Sequence, residues 1–532
     1  MAFSSGLILT DLNDYIAPSQ ACIKPVEVKK TRKDGDPMTS IQIDNAGTYY
    51  EVSQDGGQTR LETASITLND CLACSGCITS AESVLVSMQS HEELYKILQN
   101  NRLAFEEGRS NDISTVVISI SPQSRASIAA RHRLSPQQVA RRLTWFLKQL
   151  GVHYVLDTSF SRDFSLVESA REFVDRYRKN RGAKQTSEVT MDLDDGLSRP
   201  QRSSRRANRT ARAKEEAELD PESALPMLAS ACPGWICYAE KTHGYVLPYI
   251  SRTKSPQQIM GSLVKDYLAG QLGLRPNQIY HVCVMPCYDK KLEASREDFY
   301  NSDFDTREVD CVITTGELEK MLEEQQVDLA MCEEVGLDGF SKVCSDPNTQ
   351  EALLLGTPGN PSGGYLEFIL AYAARELFHI EGVDATREEG GVTIRTVRNA
   401  DFREVTLERD GQPLLRFAAA YGFRNIQNVI RKMKTGRASA YDYVEVMACP
   451  SGCINGGGQL KPPEQVPAKD WVAQVDAIYR SVPGASPEEN GAIGQLYEEW
   501  LGGSSTHKAH RMLRTQYRAL EQEAPSGLAV KW

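Results

Sequence analysis

Three apolar runs in this chain each break at a cysteine, and that coincidence constrains the fold more than any other sequence feature. Leu225 to Leu228 leads into Ala229-Ser230-Ala231-Cys232-Pro233-Gly234-Trp235. Ile279 to Met285 leads into Pro286-Cys287-Tyr288-Asp289-Lys290-Lys291-Leu292-Glu293. Tyr443 to Met447 leads into Ala448-Cys449-Pro450-Ser451-Gly452-Cys453, with Gly456-Gly457-Gly458 just beyond. Short apolar runs bounded by Gly and Pro read as buried strands, and open α/β sheets gather their ligands outside the carboxyl ends of such strands. Convergence of the three ends places Cys232, Cys287, Cys449 and Cys453 around one point. Four thiolates there make a metal site, and the chemistry admits either zinc or an iron–sulfur cluster.

The flanking residues suit a cluster. A cubane wants four thiolates, a dry pocket and N–H donors facing its sulfurs. Gly234, Gly452 and the Gly456–Gly458 run let the backbone approach closely, while Pro233 and Pro286 add no competing donors. Cys449 and Cys453, four apart, match one face of a helical turn. Zinc tolerates the same four sulfurs, so spacing alone leaves both metals open. A second cysteine set lies nearer the N-terminus, in Cys71-Leu72-Ala73-Cys74-Ser75-Gly76-Cys77. Three sulfurs on one tight loop are a cluster arrangement, and Gly76 lets the loop bend with its N–H groups inward. Bacterial ferredoxins follow such a run with Cys-Pro. Here Ile78-Thr79-Ser80-Ala81 follows, so the fourth ligand comes from elsewhere, and Cys22 is the only other cysteine before Cys232. Zinc sites pair one C-x-x-C with another or with histidines. Neither follows, which favours iron–sulfur while zinc stays open.

The chain has 532 residues, 13 cysteines and a net charge of −11, so it has no general attraction to nucleic acid or anionic lipid. No stretch approaches the roughly 18–20 apolar residues of a membrane span, and the N-terminus lacks the basic region of a secretory signal. The expected setting is therefore reducing, cytosolic or nuclear, where closely spaced cysteines are metal ligands more often than disulfides. Cys283 and Cys311 read as core residues of strands, and Cys237, Cys332 and Cys344 as incidental thiols. His507 and His510 read as a solvated helix face. With no Walker A pattern and no G-x-G-x-x-G after a strand, no nucleotide site is expected.

From Ile113 the pattern becomes βαβ, with a strand at Ser114 to Ile120, a helix carrying Val139, Leu143, Phe146 and Leu150, a strand from Tyr154 and a helix from about Leu166 to Arg178. Residues 179–221 are polar and read as a disordered insertion in a surface loop. Its stretch Gln201 to Lys214 holds six basic residues and no acidic ones. Without interleaved aromatics it reads as a solvated loop rather than a nucleic-acid patch. Further on come a helix at Pro256 to Leu272, a strand at Val309 to Ile313, a Gly/Pro-rich bend at Gly356 to Gly364 opening a helix, a hairpin at Val392–Val397 and Phe402–Leu407, and a helix at Phe423 to Lys434. Helices near Ile493 to Leu501 and Thr506 to Leu520 end the pattern. Strands alternating with helices define an α/β protein.

At the three cysteine stretches the chain resembles the iron-only hydrogenase superfamily, whose signatures read TSCCPxW, MPCxxKxxE and FxExMACxxGCxxGGG. Here they stand as ASACPGW (229–235), MPCYDKKLE (285–293) and YVEVMACPSGCINGGG (443–458), supported by PSGGYLEFIL (361–370), GFRNIQNVI (422–430), LYEEWLGG (496–503) and AHRMLRTQY (509–517). LNDYIAPSQACIKPVE (12–27) with CLACSGC resembles, more narrowly, the eukaryotic hydrogenase-like cytosolic iron–sulfur assembly factors, also called nuclear prelamin A recognition factor-like proteins. The resemblance implies an iron-only hydrogenase-like two-lobed α/β fold with mainly parallel sheets over 111–480, a small N-terminal cluster-binding domain over 1–110, and a C-terminal helical segment and docking tail over 481–532. It implies two [4Fe-4S] clusters, one on Cys22, Cys71, Cys74 and Cys77 and the other on Cys232, Cys287, Cys449 and Cys453. It also implies a non-enzymatic role in cytosolic iron–sulfur protein assembly, in the cytoplasm and also the nucleus, between a scaffold ATPase complex and a targeting complex with a WD-propeller subunit. The C-terminal Trp532, an aromatic with a free carboxylate, would be the docking handle. The chain departs from active hydrogenases at Ala231, where the family's proton-relay cysteine stands, and loss of such an acid–base group costs about 10²–10⁴ in rate. Lys290 and Glu293 are kept. The competing expectations are an active hydrogenase and a structural zinc protein.

Overall fold

A computed structural model describes residues 40–43, 49–52, 58–60, 86–191, 220–339, 354–356, 358–397, 399–434 and 440–519. Cys22, Cys71, Cys74, Cys77, Trp532 and the basic stretch 201–214 lie outside the described residues. The chain divides into a smaller unit, Met1–Ser83, and a larger one, Val84–Trp532. In the smaller unit β1 (Ser40–Ile43), β2 (Tyr49–Val52) and β3 (Gln58–Arg60) form an antiparallel sheet in that order.

The larger unit begins with α1 (His91–Glu106), then β4 (Thr115–Ile120), α2 (Pro122–His132), α3 (Pro136–Gln149), β5 (Tyr154–Asp157) and α4 (Ser159–Met191). Next come β6 (Met227–Ala229), α5 (Pro233–Thr242), α6 (Pro256–Ser262), α7 (Ala269–Leu272) and β7 (Ile279–Met285). After α8 (Asp289–Ala294), the two-residue strands β8 (Tyr300–Asn301) and β9 (Thr306–Arg307) pair with each other before β10 (Cys311–Thr314) and α9 (Thr315–Glu324). The remainder is α10 (Tyr365–Phe378), β11 (Val392–Thr396), β12 (Phe402–Arg409), β13 (Gln412–Tyr421), α11 (Phe423–Lys434), β14 (Tyr443–Met447), α12 (Ala468–Arg480), α13 (Gly491–Glu499) and α14 (His507–Leu513).

Two sheets carry the architecture. The first has order β10-β7-β4-β5 and is parallel throughout. Its helices start on local chemistry: Ser121 accepts from the Ser124 N–H ahead of Pro122, and Thr314 with Glu317 forms a capping box at α9. The second sheet has order β11-β12-β13-β14-β6, antiparallel across β11-β12-β13 and parallel across β13-β14-β6. Its core is aromatic, with Phe173 of α4 edge-on to Phe417 at 5.0 Å and Phe417 stacked on Tyr443 at 4.7 Å.

Several elements depart from the sequence reading. The boundary expected at 110 falls between Ser83 and Val84. The segment before 110 belongs to the larger unit because α1 buries His91, Leu94 and Leu98, and the Gln89 and Lys291 backbone and side chains bond reciprocally at 2.9 and 2.6 Å. The C-terminal helices are not a separate segment either. Ile493, Leu496, Tyr497, Trp500 and Leu513 bury in one core with Phe164 of α4, whose ring lies 5.2 Å from Tyr497. Helix α4 starts at Ser159 and runs to Met191, into the stretch expected to be a disordered insertion. The helix expected over Pro256 to Leu272 is interrupted by a π turn, Leu263–Leu268, between α6 and α7. No helix among the described residues is long and apolar enough to cross a membrane.

Candidate metal centre

Cys232, Cys287 and Cys449 are each placed by the backbone just past a parallel strand, and Cys453 follows on the loop beyond Cys449. Strands β6 and β14 are neighbours, with Tyr443 opposite Met227 and Glu445 opposite Ala229, so their carboxyl ends deliver Cys232 and Cys449 side by side. Cys232 is the residue preceding α5, with Pro233 in the first turn. Ser230 locks the pair: its hydroxyl donates to the Val446 carbonyl and accepts from the Cys232 N–H, the latter at 3.0 Å. The Ala448 N–H points at the Cys232 sulfur, 3.4 Å away. Cys287 arrives from the other sheet, two residues beyond the central strand β7.

The third cysteine loop crosses to that second strand end. The Gly458 N–H donates to the Pro286 carbonyl at 2.9 Å, and the Gly316 N–H donates to the Gly458 carbonyl at 3.0 Å. A side chain at Gly458 would meet Thr314 at 2.8 Å and the Cys287 nitrogen at 3.2 Å, so the close approach requires glycine. Gln459 adds bonds to the Gln123 carbonyl (3.0 Å) and from the Thr315 hydroxyl (2.7 Å). Cys449 and Cys453 do not share a helical turn as expected. Ser451 and Gly452 both adopt left-handed conformations, at φ 60° and 78°, and only Gly452–Asn455 is helical, as a 3₁₀ turn.

All four thiols are free of disulfides, and every pair among them interacts electrostatically. Burial pushes Cys232 up to about 12, with Asp289 and Cys453 adding to the rise. Burial also raises Cys287, assisted by Asp289, Cys232 and Cys453, and raises Cys449, assisted by Cys232, Cys287, Asp289 and Cys453. Cys453 is raised by burial against the opposing pull of Lys290 and of the Ser362 hydroxyl. The protein thus crowds one buried and three half-buried sulfur donors together, with Lys290 as the cation beside them, an arrangement whose charge is balanced by a cationic core. Among the described residues no three His, Cys, Asp or Glu side chains are gathered tightly enough to hold a single metal ion. Four cysteine sulfurs are the donor set that an iron–sulfur core takes.

Of the other residues around the site, Lys290 and Glu293 are singled out in the sequence, whereas Asp289, Ser255, Gln257, Asn360 and Ser362 escape it. Asp289 lies against the start of α5, where a side chain at Gly234 would come within 2.9 Å of its Oδ2. Lys290 is buried and pairs with Glu293 at 2.8 Å, while Glu293 also accepts from Ser255 (3.0 Å) and Gln257 (3.1 Å). A small cavity of about 20 Å³ borders Ser230, Ala231, Cys232, Cys237, Ser255 and Glu293. Cys237, set aside on sequence as an incidental thiol, thus shares a cavity with Cys232, and burial pushes it up to about 12. Cys283 and Cys311 are buried in β7 and β10, and His507 and His510 are exposed on α14. Ser362 and Asn360, in the bend read only as a helix opening, contact the third cysteine loop and its strand, the Cys453 N–H donating to Ser362 Oγ at 3.1 Å.

Fold and site together define a protein of the iron-only hydrogenase type. Residues 114–189 and 207–457 match the family model for the iron only hydrogenase large subunit, C-terminal domain, and residues 471–520 match that for the iron hydrogenase small subunit. A cysteine-to-histidine variant of the apo [FeFe]-hydrogenase of Chlamydomonas reinhardtii superposes with a TM-score of 0.58 and 28% identity, covering 76% of this chain and 95% of that one. A structure described as showing stepwise [FeFe]-hydrogenase H-cluster assembly matches at 0.58 and 27%, with the same coverage. Curated relatives are closer in sequence. Cytosolic iron-sulfur assembly component 3 of Bos taurus is 51% identical over 100% of this chain and 99% of its own length. The cytosolic Fe-S cluster assembly factor narfl of Xenopus tropicalis is 51% identical with the same coverage, and a probable narfl factor of Dictyostelium discoideum is 44% identical, again over 100% and 99%. The chain belongs to the iron-only hydrogenase-like family that these assembly components represent.

Proposed function

We propose that this chain is an iron–sulfur-binding component of cytosolic iron–sulfur protein assembly. The observation that carries the reading is the gathering of four mutually interacting thiols, one buried and three half-buried, by three strand ends and the loop after the last of them. The printed names of the relatives, which call them cytosolic iron–sulfur assembly components, support the pathway and a cytoplasmic setting. Cys232, Cys287, Cys449 and Cys453 hold one [4Fe-4S] cluster, and Cys22, Cys71, Cys74 and Cys77 hold a second. The cluster supplies exchangeable or redox-active iron and sulfide. The protein's own residues bind it, shield it and set the N–H and O–H donors around its sulfurs. Trp532 docks a targeting complex with a WD-propeller subunit, and the chain links that complex to the scaffold ATPase complex, in the nucleus as well as the cytoplasm.

The same reading makes the protein a non-enzyme. Ala231 borders the cavity beside Cys232, and its methyl group carries no proton. Protein purified anaerobically should be brown and hold about eight irons per chain, the sum of two four-iron clusters, and it should evolve no hydrogen from reduced methyl viologen. Colourless protein with stoichiometric zinc would overturn the cluster assignment. Hydrogen evolution at a hydrogenase-like rate would overturn the non-enzymatic role.

A further inference from the structure

The bend at Gly356 to Gly364 touches the metal centre through one side chain. Ser362 is buried, with 4% of its surface exposed, and its oxygen accepts the Cys453 N–H at 3.1 Å. That contact sets the hydroxyl beside Cys453, where it pulls the Cys453 thiol and the Tyr421 phenol down against the rise that burial gives them. The bend is pinned from several sides. Ser362 N–H donates to Asn360 Oδ1 at 2.9 Å, and Asn360 Nδ2 donates to Glu367 (2.8 Å) and Glu445 (3.2 Å). Gln123 donates to the Pro361 carbonyl at 2.9 Å, and Arg480 donates to the Gly359 carbonyl at 2.6 Å. A hydroxyl held this way is oriented before any metal arrives.

The single proton of that hydroxyl has two acceptors to choose between. Tyr421 gives its own proton to Glu445 at 2.8 Å, so its oxygen can accept. A metal-ligating thiolate carries more negative charge than a phenol oxygen, and charge-assisted hydrogen bonds are roughly twice as strong as neutral ones. With metal bound, the Ser362 proton therefore goes to Cys453. A hydrogen bond to a cluster sulfur favours the more negative, reduced state and tightens the ligand.

We propose that Ser362 is a positioning residue for the metal centre: its oxygen takes the Cys453 N–H and its proton goes to the Cys453 sulfur, raising the cluster's reduction potential and slowing its loss. The proposal rests on Cys453 being a cluster ligand.

The test uses the full chain carrying Cys71→Ser and Cys74→Ser, so that one centre gives the signal. Midpoint potential is read by EPR-monitored titration and iron release by chelator kinetics. Ser362→Ala should move the potential to more negative values and speed iron release about ten-fold, the low end for loss of an outer-shell partner. Ser362→Thr should restore both. Ser362→Cys, nearly isosteric and a weaker donor, should shift both in the same direction by less, and it serves if the alanine variant fails to fold. Unchanged potential and release in the alanine or cysteine variant overturn the proposal, as does a threonine variant as impaired as the alanine one. A Cys453→Ser chain with the parent's iron content overturns the site assignment itself, a result separable from failure at Ser362.

Discussion

Substituting Gly452 tests whether the cysteine turn is as tightly built as its geometry demands. The residue sits at φ 78°, and an added Cβ would overlap Ser362 Oγ while lying 3.3 Å from the Tyr421 ring and 3.5 Å from Ser362 Cβ. Two costs follow for Gly452→Ala. A left-handed conformation at a non-glycine residue costs about 1–2 kcal/mol, and overpacking against a bend pinned by Gln123, Asn360 and Arg480 costs about 1–3 kcal/mol. Together they predict a loss of about 2–5 kcal/mol. In a Ser362→Ala background the offending oxygen is gone, and what remains is the backbone cost of about 1–2 kcal/mol and a tight 3.3 Å contact with the Tyr421 ring. The double-mutant cycle should therefore show the two substitutions compensating by about 1–3 kcal/mol. Anaerobic urea titration of the full chain, followed by tryptophan fluorescence that includes the buried Trp235, Trp471 and Trp500, measures it, with equal slopes across the four proteins as the control. A coupling of zero, or a Gly452→Ala loss below about 1 kcal/mol, would refute the steric account.

Two further substitutions probe the charges around the site. Glu445 is raised to about 7 by burial and by the charge of Glu367, against the opposing pull of Tyr421, the Leu366 N–H and Arg403. An acid whose folded value lies above its unfolded one stabilises the protein at low pH, and that contribution is lost as pH rises from about 4.5 towards 7, so Glu445→Gln should flatten the stability–pH curve across that window in urea titrations. Lys290→Met should lower iron content, because Lys290 draws Cys287 and Cys453 towards their charged forms, and should destabilise the unit by up to about 3–5 kcal/mol by stranding Glu293; Lys290→Met with Glu293→Gln should recover most of the stability and none of the iron, as unfolding curves and iron analysis would show.

Which parts of this architecture could be read from the chain depended on how local their causes are. Strands β7 and β14 were legible to the residue, because strands buried on both faces are mostly apolar runs with apolar ends, His281 and Glu445 being the one polar residue inside each. Strand β6 begins two residues later than its apolar run, at Met227, since Pro226 has no N–H to give the ladder. The strand-end rule placed Cys232, Cys287 and Cys449 just past the carboxyl ends of β6, β7 and β14, but not the meeting of those ends from two sheets. The turn joining Cys449 to Cys453 did not, because spacing cannot show that Ser451 and Gly452 are left-handed. Helix α4 was underestimated because its first turns and its tail are polar in sequence, yet Arg162, Asp163 and Ser165 are buried by tertiary contacts. Ser362 was invisible for the same reason. It stands 91 residues from the backbone N–H it receives, and no pattern near it marks it as a partner of Cys453.

The site also explains why the two sheets must be assembled together. Strands β6 and β14 supply Cys232 and Cys449 from one sheet, and β7 supplies Cys287 from the other. Cys453 rides on a strap whose bonds run to Pro286, Gly316, Gln123 and Thr315 in the first sheet's territory, while its neighbour Gly452 abuts Ser362 and Tyr421 on the other side. No half of the unit holds three of the four sulfurs on its own strands without that strap. On the cluster assignment proposed above, binding energy gained at the sulfurs is folding energy of the whole unit. The free protein carries the opposing term, because burial raises every one of the four thiols and each must lose its proton to bind. On that assignment cluster occupancy and the packing of the sheets are one equilibrium, in which loosening the strap and losing the cluster are the same event seen from two sides.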